Sequence, residues 1–342
     1  MRSTILKVAI NGFGRIGRSF FRLSLNDPNI QVVAINDPAD TKTLAHLLKY
    51  DSIHGVLEDS VNAKDESIHC KDLEVSISHE KDISKINWCH VHPDFVLESS
   101  GQFKHKDQLK HHLLNGAKRC ILSVPPADEK IKMIVLGVND DILEADDKIV
   151  SNASCTTNNA APMLDIVHKH IGVEQAYIST VHSFTTDQSL HDSPHKDLRR
   201  ARAATQSIVP TTTGAAKALT RIFPELSHAI GGCGIRVPVP NGSLTDMTLY
   251  TKQKTDAQQV NQLFREAVQK YPFRIMSYCD EPIVSIDIKG SPYSCLFDSE
   301  MTSVIDGNLV KLIGWYDNER GYSHRLIDLM KTMYALSLPA DH

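Results

Sequence analysis

The chain has 342 residues, 41% of them hydrophobic, which is enough to bury a large core and long enough to expect two domains. Its 37 Lys and Arg against 41 Asp and Glu leave a net charge of -4, so no electrostatic footprint points to a specific nucleic acid or an anionic membrane. Seven cysteines, at 70, 89, 120, 155, 233, 279 and 295, are odd in number and never spaced as CxxC, which excludes a disulfide framework or zinc site and leaves no metal expected.

From the N-terminus, MRSTILKVAINGFGR reaches a glycine-rich turn before a signal-peptide core can form, and no later apolar run approaches the roughly 20 residues of a bilayer span. A cytoplasmic protein is expected. The first half then alternates apolar runs with helical spacing. Ile5 to Ile10, Ile30 to Ile35, Phe95 to Leu97, Cys120 to Val124 and Ile134 to Val138 are expected as buried strands. Arg18 to Leu25, Thr43 to Lys49 and Lys106 to Asn115 are expected as the helices between them. This order predicts an α/β fold with a doubly wound parallel sheet. After about Ser151 the texture changes. A helix is expected over Thr156 to His170, followed by a long polar loop. Strands are expected at Ala176 to Val181, Leu244 to Thr251, Val284 to Ile288 and Leu309 to Trp315, in a mostly antiparallel sheet of a second, α+β domain. Leu326, Leu329, Met330 and Met333 mark a last amphipathic helix expected to pack back on the first domain.

Two stretches carry chemistry. Gly12-Phe13-Gly14-Arg15-Ile16-Gly17 follows a strand and opens a helix, where the glycines allow close approach of a pyrophosphate and the helix N-terminus attracts its charge. A glycine-rich strand-to-helix turn alone reads equally as ordinary structure. About twenty residues on, however, Asn36-Asp37-Pro38 ends the second strand, where Asp37 can accept both ribose hydroxyls and repel a 2'-phosphate. The expected cofactor is NAD rather than NADP. In Ser151-Asn152-Ala153-Ser154-Cys155-Thr156-Thr157-Asn158, a polar turn places Cys155 at the start of a helix, where the dipole and a nearby imidazolium would favour the thiolate. Its hydroxylated and amidic neighbours argue against an inert buried cysteine. Further on, the basic run from His195 to Arg202, the segment Pro210-Thr211-Thr212-Thr213-Gly214, and Arg236 combine cations, hydroxyls and a loop glycine, which suits phosphate as well as it suits a solvated loop.

INGFGRIGR, LKYDSIHG, SNASCTTN, TVHSFTTDQ, HKDLRRARAA, PTTTGAAKA, IRVPVPN and WYDNERGYS occur in that order from end to end. Together they resemble the phosphorylating glyceraldehyde-3-phosphate dehydrogenases, especially the bacterial type. The resemblance implies a Rossmann domain of residues 1–154 completed by a C-terminal helix at 319–342, a catalytic domain at 155–318, a glycolytic role and a homotetramer. It implies that Cys155 is the nucleophile and His182 the base, a choice among the histidines that position alone does not make. It assigns Ser154, Thr156, Thr213 and Gly214 to inorganic phosphate with Arg200 beside them, and Thr185, Asp187 and Arg236 to the phosphate of glyceraldehyde 3-phosphate. Asn11, Arg15, Ile16, Asp37, Lys81, Ser100 with Gly101, Ser123, Asn318 and Tyr322 match NAD contacts, Asn318 against the nicotinamide amide, and Pro194 matches the NAD-using form. The chain departs from the pattern at Asn159, where a second cysteine is usual, at Arg320, where a tryptophan precedes GYS, and at Pro125-Pro126. Two other readings compete. One is an erythrose-4-phosphate dehydrogenase, in which water takes the place of phosphate, although the retained Thr185 and Thr213-Gly214 argue against it. The other is a non-catalytic binding protein on the same fold, against which stand Cys155, His182 and both phosphate sets.

Overall fold

A computed structural model describes residues 5–338. Residues 1–4 and 339–342, the ends of the expected first domain and of the expected C-terminal helix, lie outside the described residues. The chain divides into two units, one of residues 1–134, 141–153 and 323–342, the other of residues 135–140 and 154–322.

The first unit is built in chain order from β1 (Leu6–Asn11), α1 (Arg15–Ser24), β2 (Ile30–Asn36), α2 (Thr41–Lys49), the short pair β3 (Tyr50–Asp51) and β4 (Gly55–Val56), then β5 (Val61–Lys64), β6 (Ser67–Cys70), β7 (Leu73–Ser78), β8 (Phe95–Glu98), α3 (Lys106–Leu114), β9 (Arg119–Leu122), β10 (Lys132–Met133) and β11 (Ile149–Ser151). Nine of these strands form one sheet in the order β10-β11-β9-β8-β1-β2-β7-β6-β5. From β10 to β7 every pairing is parallel, and β6 and β5 extend the sheet antiparallel. The apolar runs at β1, β8 and β9 are buried on both faces, as helix-covered parallel strands must be. One core cluster gathers Ala9, Ala34, Ile83, Ile86, Trp88, Val96 and Ala117, and a second gathers Leu109, Cys120, Leu122, Ile131 and Ile149. Because β1 lies between β2 and β8, the carboxyl ends of these three strands bring Asn11, Asn36 and Glu98 side by side. That is where the chain reverses its order of winding and where ligands bind in such sheets.

The second unit contains α4 (Cys155–His170), β12 (Val173–Ser183), β13 (Val209–Thr211), α5 (Ala215–Ile222), β14 (Ile230–Val237), β15 (Ser243–Thr251), α6 (Ala257–Ala267), β16 (Met276–Cys279), β17 (Cys295–Ile305) and β18 (Leu309–Tyr316). Its seven strands run β13-β14-β12-β15-β18-β17-β16, with β12-β14 and β16-β17 the parallel pairs. Buried residues alternate with more exposed ones along β15, so one face carries the core. On that side α6 packs on β17, and Phe264 stacks on Phe297 with centroids 3.7 Å apart. The last helix, α7 (Arg320–Leu336), buries Leu326, Leu329, Met330 and Met333, and its residues from 323 onward belong to the first unit.

Two expected strands are absent. Ile134 to Val138 is a turn in which Val138 N and Asn139 N donate to Val135 O, Asn139 Oδ1 accepts from Val135 N, and Gly137 has a φ of +80°. The side chain of Asn139 thus supplies an alternative to a ladder partner. Val284 to Ile288 is likewise a turn, closed by Asp287 Oδ2 accepting from Val284 N, and it leaves Val284 and Ile286 exposed.

Candidate active site

At the carboxyl end of the first sheet, Gly12 has a φ of +92°, and a Cβ there would lie 2.4 Å from Ser100 N, so the turn after β1 packs backbone to backbone against the turn after β8. Gly14 caps α1 with no side-chain hydrogen bond and nothing within 4 Å of where its Cβ would stand. The helix end therefore has room before it for an anionic group. Asp37 Oδ2 accepts from Phe13 N (2.8 Å) and Oδ1 accepts from Ala39 N (3.0 Å). A carboxylate offers about four lone-pair sites, so the two amides leave capacity for a pair of ribose hydroxyls. These residues fit a dinucleotide. Arg15 is bound bidentately to Asp51 at 2.5 and 3.1 Å, which fastens the first turn of α1 to the segment after α2.

Other residues assigned to this site lie deeper. Asn11, Asn36, Phe13 and Gly17 are buried, and the Phe13 ring stands edge-on to Phe21. The side chains of Asn11, Asn36 and Phe13 support the turn rather than line it. Ile16 and Ser100 with Gly101 are partly exposed, Lys81 is exposed, and Ser123, buried, donates its N–H to Glu98 O. Glu98 itself was missed, although a carboxylate closing the apolar run FVLE was a visible signal.

In the second unit, Ser154 caps α4 by accepting from Thr157 N, which sets Cys155 on the first turn. Cys155 Sγ lies 3.5 Å from His182 Nε2, at the end of β12. His182 Nδ1 is 2.7 Å from Ser183 O and 2.8 Å from Arg236 Nη1, and that same Nη1 donates to Ser183 O (3.0 Å) and Thr185 Oγ1 (3.2 Å). The parallel register of β12 with β14 puts Arg236 directly opposite His182. Tyr316, buried and missed by sequence reasoning, bonds both Thr156 and Thr180 and sets its ring edge-on to His182 at 5.9 Å.

The electrostatics of the pair correct the expected imidazolium. Burial, reinforced by the Arg236 cation, lowers the His182 pKa to about 3 against the opposing pull of the Ser183 carbonyl, so His182 is neutral at pH 7. Burial likewise pushes the Cys155 thiol above the usual range, although Arg236 and the Thr156 amide pull it down. The resting pair is thiol and neutral imidazole.

Around it four of the expected phosphate-site residues, Thr185, Asp187, Arg200 and Arg236, form one network. Thr185 donates its hydroxyl to Asp187, Arg200 donates to Asp187 Oδ2 (2.7 Å), Thr211 Oγ1 (3.0 Å) and Thr212 O (3.2 Å), and Arg236 reaches Thr185. Burial would raise the Asp187 carboxyl, but the Thr185 hydroxyl and the two arginines outweigh it and hold it below the usual range. Thr213 Oγ1 accepts from Ala215 N, and Gly214 caps α5 with open space at its Cβ position. The Thr156 hydroxyl, by contrast, is turned to Tyr316 in a buried position. Asn318 Oδ1 accepts from Ser183 Oγ (2.9 Å), Gly242 N (3.2 Å) and Ser243 Oγ (3.3 Å), which leaves Nδ2 as its remaining polar group. Tyr322 is buried in α7. Asn159 donates to Ser294 O and Trp315 O, both at 3.2 Å, so the residue in place of a second cysteine ties α4 to β18. Among the described residues no group of His, Cys, Asp and Glu is arranged to hold a metal, and no helix is long and apolar enough to cross a membrane.

Two family models match the chain: the glyceraldehyde 3-phosphate dehydrogenase NAD binding domain over residues 6–106 and the C-terminal domain of the same enzyme over residues 154–318. The chain is 46% identical over 327 residues to a glyceraldehyde-3-phosphate dehydrogenase of Geobacillus stearothermophilus, covering 95% of this chain and 97% of that one. It is also 46% identical over 335 residues to one from Borreliella burgdorferi, covering 96% and 99%, and 44% identical over 333 residues to glyceraldehyde-3-phosphate dehydrogenase 1 of Bacillus cereus, covering 97% and 99%. With both domains matched and relatives alike almost from end to end, the chain that holds this dinucleotide turn and this cysteine-histidine pair belongs to the glyceraldehyde-3-phosphate dehydrogenase family.

Proposed function

We propose that the chain oxidises D-glyceraldehyde 3-phosphate with NAD and inorganic phosphate, giving 1,3-bisphosphoglycerate. The observation that carries this reading is the Cys155–His182 pair with Arg236 at its side. With Arg236 Nη1 giving its two protons to Ser183 O and Thr185 Oγ1, the tautomer that carries its proton on Nδ1 toward Ser183 O leaves Nε2 free to act as base. As Cys155 Sγ bonds to the aldehyde carbon, its proton passes through His182 Nε2 to the aldehyde oxygen, which gives a hemithioacetal. His182 then removes that hydroxyl proton while the carbon loses hydride, and a thioester of Cys155 remains. NAD would be held by Asp37, the glycine turn and Ser100, would meet Asn318 Nδ2 at its carboxamide, and would supply the hydride acceptor. Phosphate oxygen attacks the thioester carbon, the C–S bond breaks, and Cys155 recovers its proton from His182. Thr185, Asp187 and Arg236 orient the substrate phosphate, while Ser154, Arg200, Thr213 and the Gly214 end of α5 receive the attacking phosphate. Thr156 acts from beneath through its amide toward Sγ.

The protein acts in the cytoplasm as a homotetramer. Self-association is supported by the open face of the second sheet, where the register sets the exposed Tyr177, Tyr250 and Leu309 close together. Light scattering should give four times the chain mass of 38.1 kDa, and a monomer at micromolar concentration would refute it.

NADH formation from glyceraldehyde 3-phosphate and from erythrose 4-phosphate, each with and without phosphate, tests the reaction. Phosphate-dependent turnover of the three-carbon substrate is expected. Phosphate-independent turnover of the four-carbon sugar would transfer the assignment to an erythrose-4-phosphate dehydrogenase, and no turnover of either would favour a non-catalytic binding protein.

A further inference from the structure

Beneath the dinucleotide turn lies a buried hydrogen-bond chain whose bonds all point one way. Glu80 N (2.9 Å) and Ser78 Oγ (2.8 Å) donate to Asn36 Oδ1, Asn36 Nδ2 donates to Asn11 Oδ1 (2.8 Å), and Asn11 Nδ2 donates to Glu98 Oε2 (2.5 Å). From the other side Trp88 Nε1, which can only donate, reaches His112 Nδ1 (3.1 Å). That bond makes Nδ1 an acceptor and places the ring proton on Nε2, which donates to Glu98 Oε2 (3.0 Å). Ser100 gives Glu98 Oε1 both its amide (2.9 Å) and its hydroxyl (2.5 Å). Four donors converge on Glu98, and four is the capacity of a carboxylate. Glu98 and His112 are 0% exposed, Trp88 1%, and Asn11 and Asn36 2%.

We infer that Glu98 is a positioning residue for the dinucleotide: it is the terminal acceptor that fixes Ser100 and the Asn11 end of the glycine turn against each other, with His112 locked by Trp88 into the tautomer this requires. Either orientation of a neutral amide at 98 leaves a conflict, its N–H meeting those of Asn11 and His112 or, turned over, the N–H of Ser100. Asn11 cannot turn its amide over, because Asn36 presents N–H to it, and Asn36 is itself held by Glu80 N and Ser78. His112 cannot become an acceptor at Nε2 while the indole N–H occupies Nδ1. An amide at position 98 therefore sets an N–H against an N–H, a conflict that a buried network cannot relieve through water. Its effect falls on Gly12 and Ser100, whose backbones meet where a Cβ on Gly12 has no room. The network lies within the first unit and has no part in the Cys155 chemistry.

This inference rests on the proposed use of NAD, and calorimetric titration of NAD into the full-length protein separates the two. Failure of the unsubstituted protein to bind NAD would overturn the functional reading. If it binds, Glu98→Gln is expected to weaken NAD at least tenfold. In a Trp88→Phe background, where His112 is free to change tautomer, the same substitution is expected to cost at least threefold less. Equal NAD affinity of the folded Glu98→Gln variant, with only its melting temperature lowered, overturns the inference, as does an identical loss in both backgrounds. Should Glu98→Gln not fold, His112→Leu and His112→Gln carry the test. The leucine should weaken NAD, and the glutamine, with a donor for Glu98 and an acceptor for Trp88, should recover most of the affinity. Unaltered binding by His112→Leu is the overturning result. Nitrogen NMR of His112 should show the Nε2–H tautomer, and an Nδ1–H signal contradicts the network.

Discussion

Burial at Cys155 and His182 opposes the charges that would make them an ion pair at rest, so the reactive thiolate forms only as His182 takes the proton. The alkylation rate of Cys155 by iodoacetamide in the cofactor-free protein should therefore keep climbing from pH 7 to 9. A plateau already reached near pH 6 would indicate a resting ion pair instead. Replacing His182 with Asn should lower kcat by about 10²–10⁴-fold, the usual worth of a general base, and a loss under tenfold would remove it from that role. The depressed His182 pKa also links stability to pH. The unfolded chain protonates this histidine near pH 6.5 and the folded chain only near 3. Its contribution is thus complete above about pH 6.5 and declines as pH falls from there toward 3. In urea unfolding, His182→Gln should lose less stability than the unsubstituted protein between pH 7 and 4.5, because the variant lacks this proton uptake. Parallel losses would show that His182 is not held neutral by burial.

Elements were legible in the sequence where periodicity and local chemistry agreed. Cys155 read as the start of a helix, and Ser154 caps that helix by accepting from Thr157 N. The apolar runs of β1, β2 and β8 sit in the parallel sheet with their ends aligned. Where they disagreed, the local hydrogen bonds prevailed. Ile134 to Val138 is as apolar as a strand, yet Asn139 and Gly137 close it into a turn. Conversely β14, IGGCGIRV, has too few side chains to announce a strand, although a Cβ at Gly232 would lie 2.6 Å from Ile178 O. Leu73, Val75 and Ile77 did alternate, so β7 was readable and went unread. The convergence on Glu98 could not be read at all, since it joins residues up to 87 positions apart through bond directions that exist only in the fold. The glycine turn, legible as a motif, supports a prediction at this scale. Gly12→Ala meets both a positive φ and the Ser100 backbone, and strain of this kind costs on the order of 1–3 kcal/mol. NAD should bind at least tenfold more weakly, measured by titration, and an unchanged affinity would show that the turn tolerates a side chain.

At the scale of the whole molecule, the first unit is discontinuous: its sheet is finished by β11 at Ser151, but part of its core arrives only with residues 323–338. Leu326, Leu329 and Met330 are 0% exposed and Met333 3%. Lys331 Nζ, 2.6 Å from Asp27 Oδ2, ties the helix to the start of the unit across 304 positions of sequence. Burying such side chains is worth about 1.5–3 kcal/mol each, so these four together supply roughly 6–12 kcal/mol, as much as the entire net stability of a typical domain. The ion pair adds little by comparison, being partly exposed. A chain ended after Tyr322 should therefore lose the first unit as a folded body. Its NAD binding should disappear, and its amides from β1 to β9 should exchange hydrogen as fast as unfolded peptide. The single substitution Lys331→Ala should leave both nearly intact. If the shortened chain still protects β1 and β8 from exchange, the sheet and its own helices suffice as a core and α7 only covers them. If Lys331→Ala is as damaging as the truncation, the tie to Asp27 outweighs the apolar face, and the order of energies argued from burial is reversed.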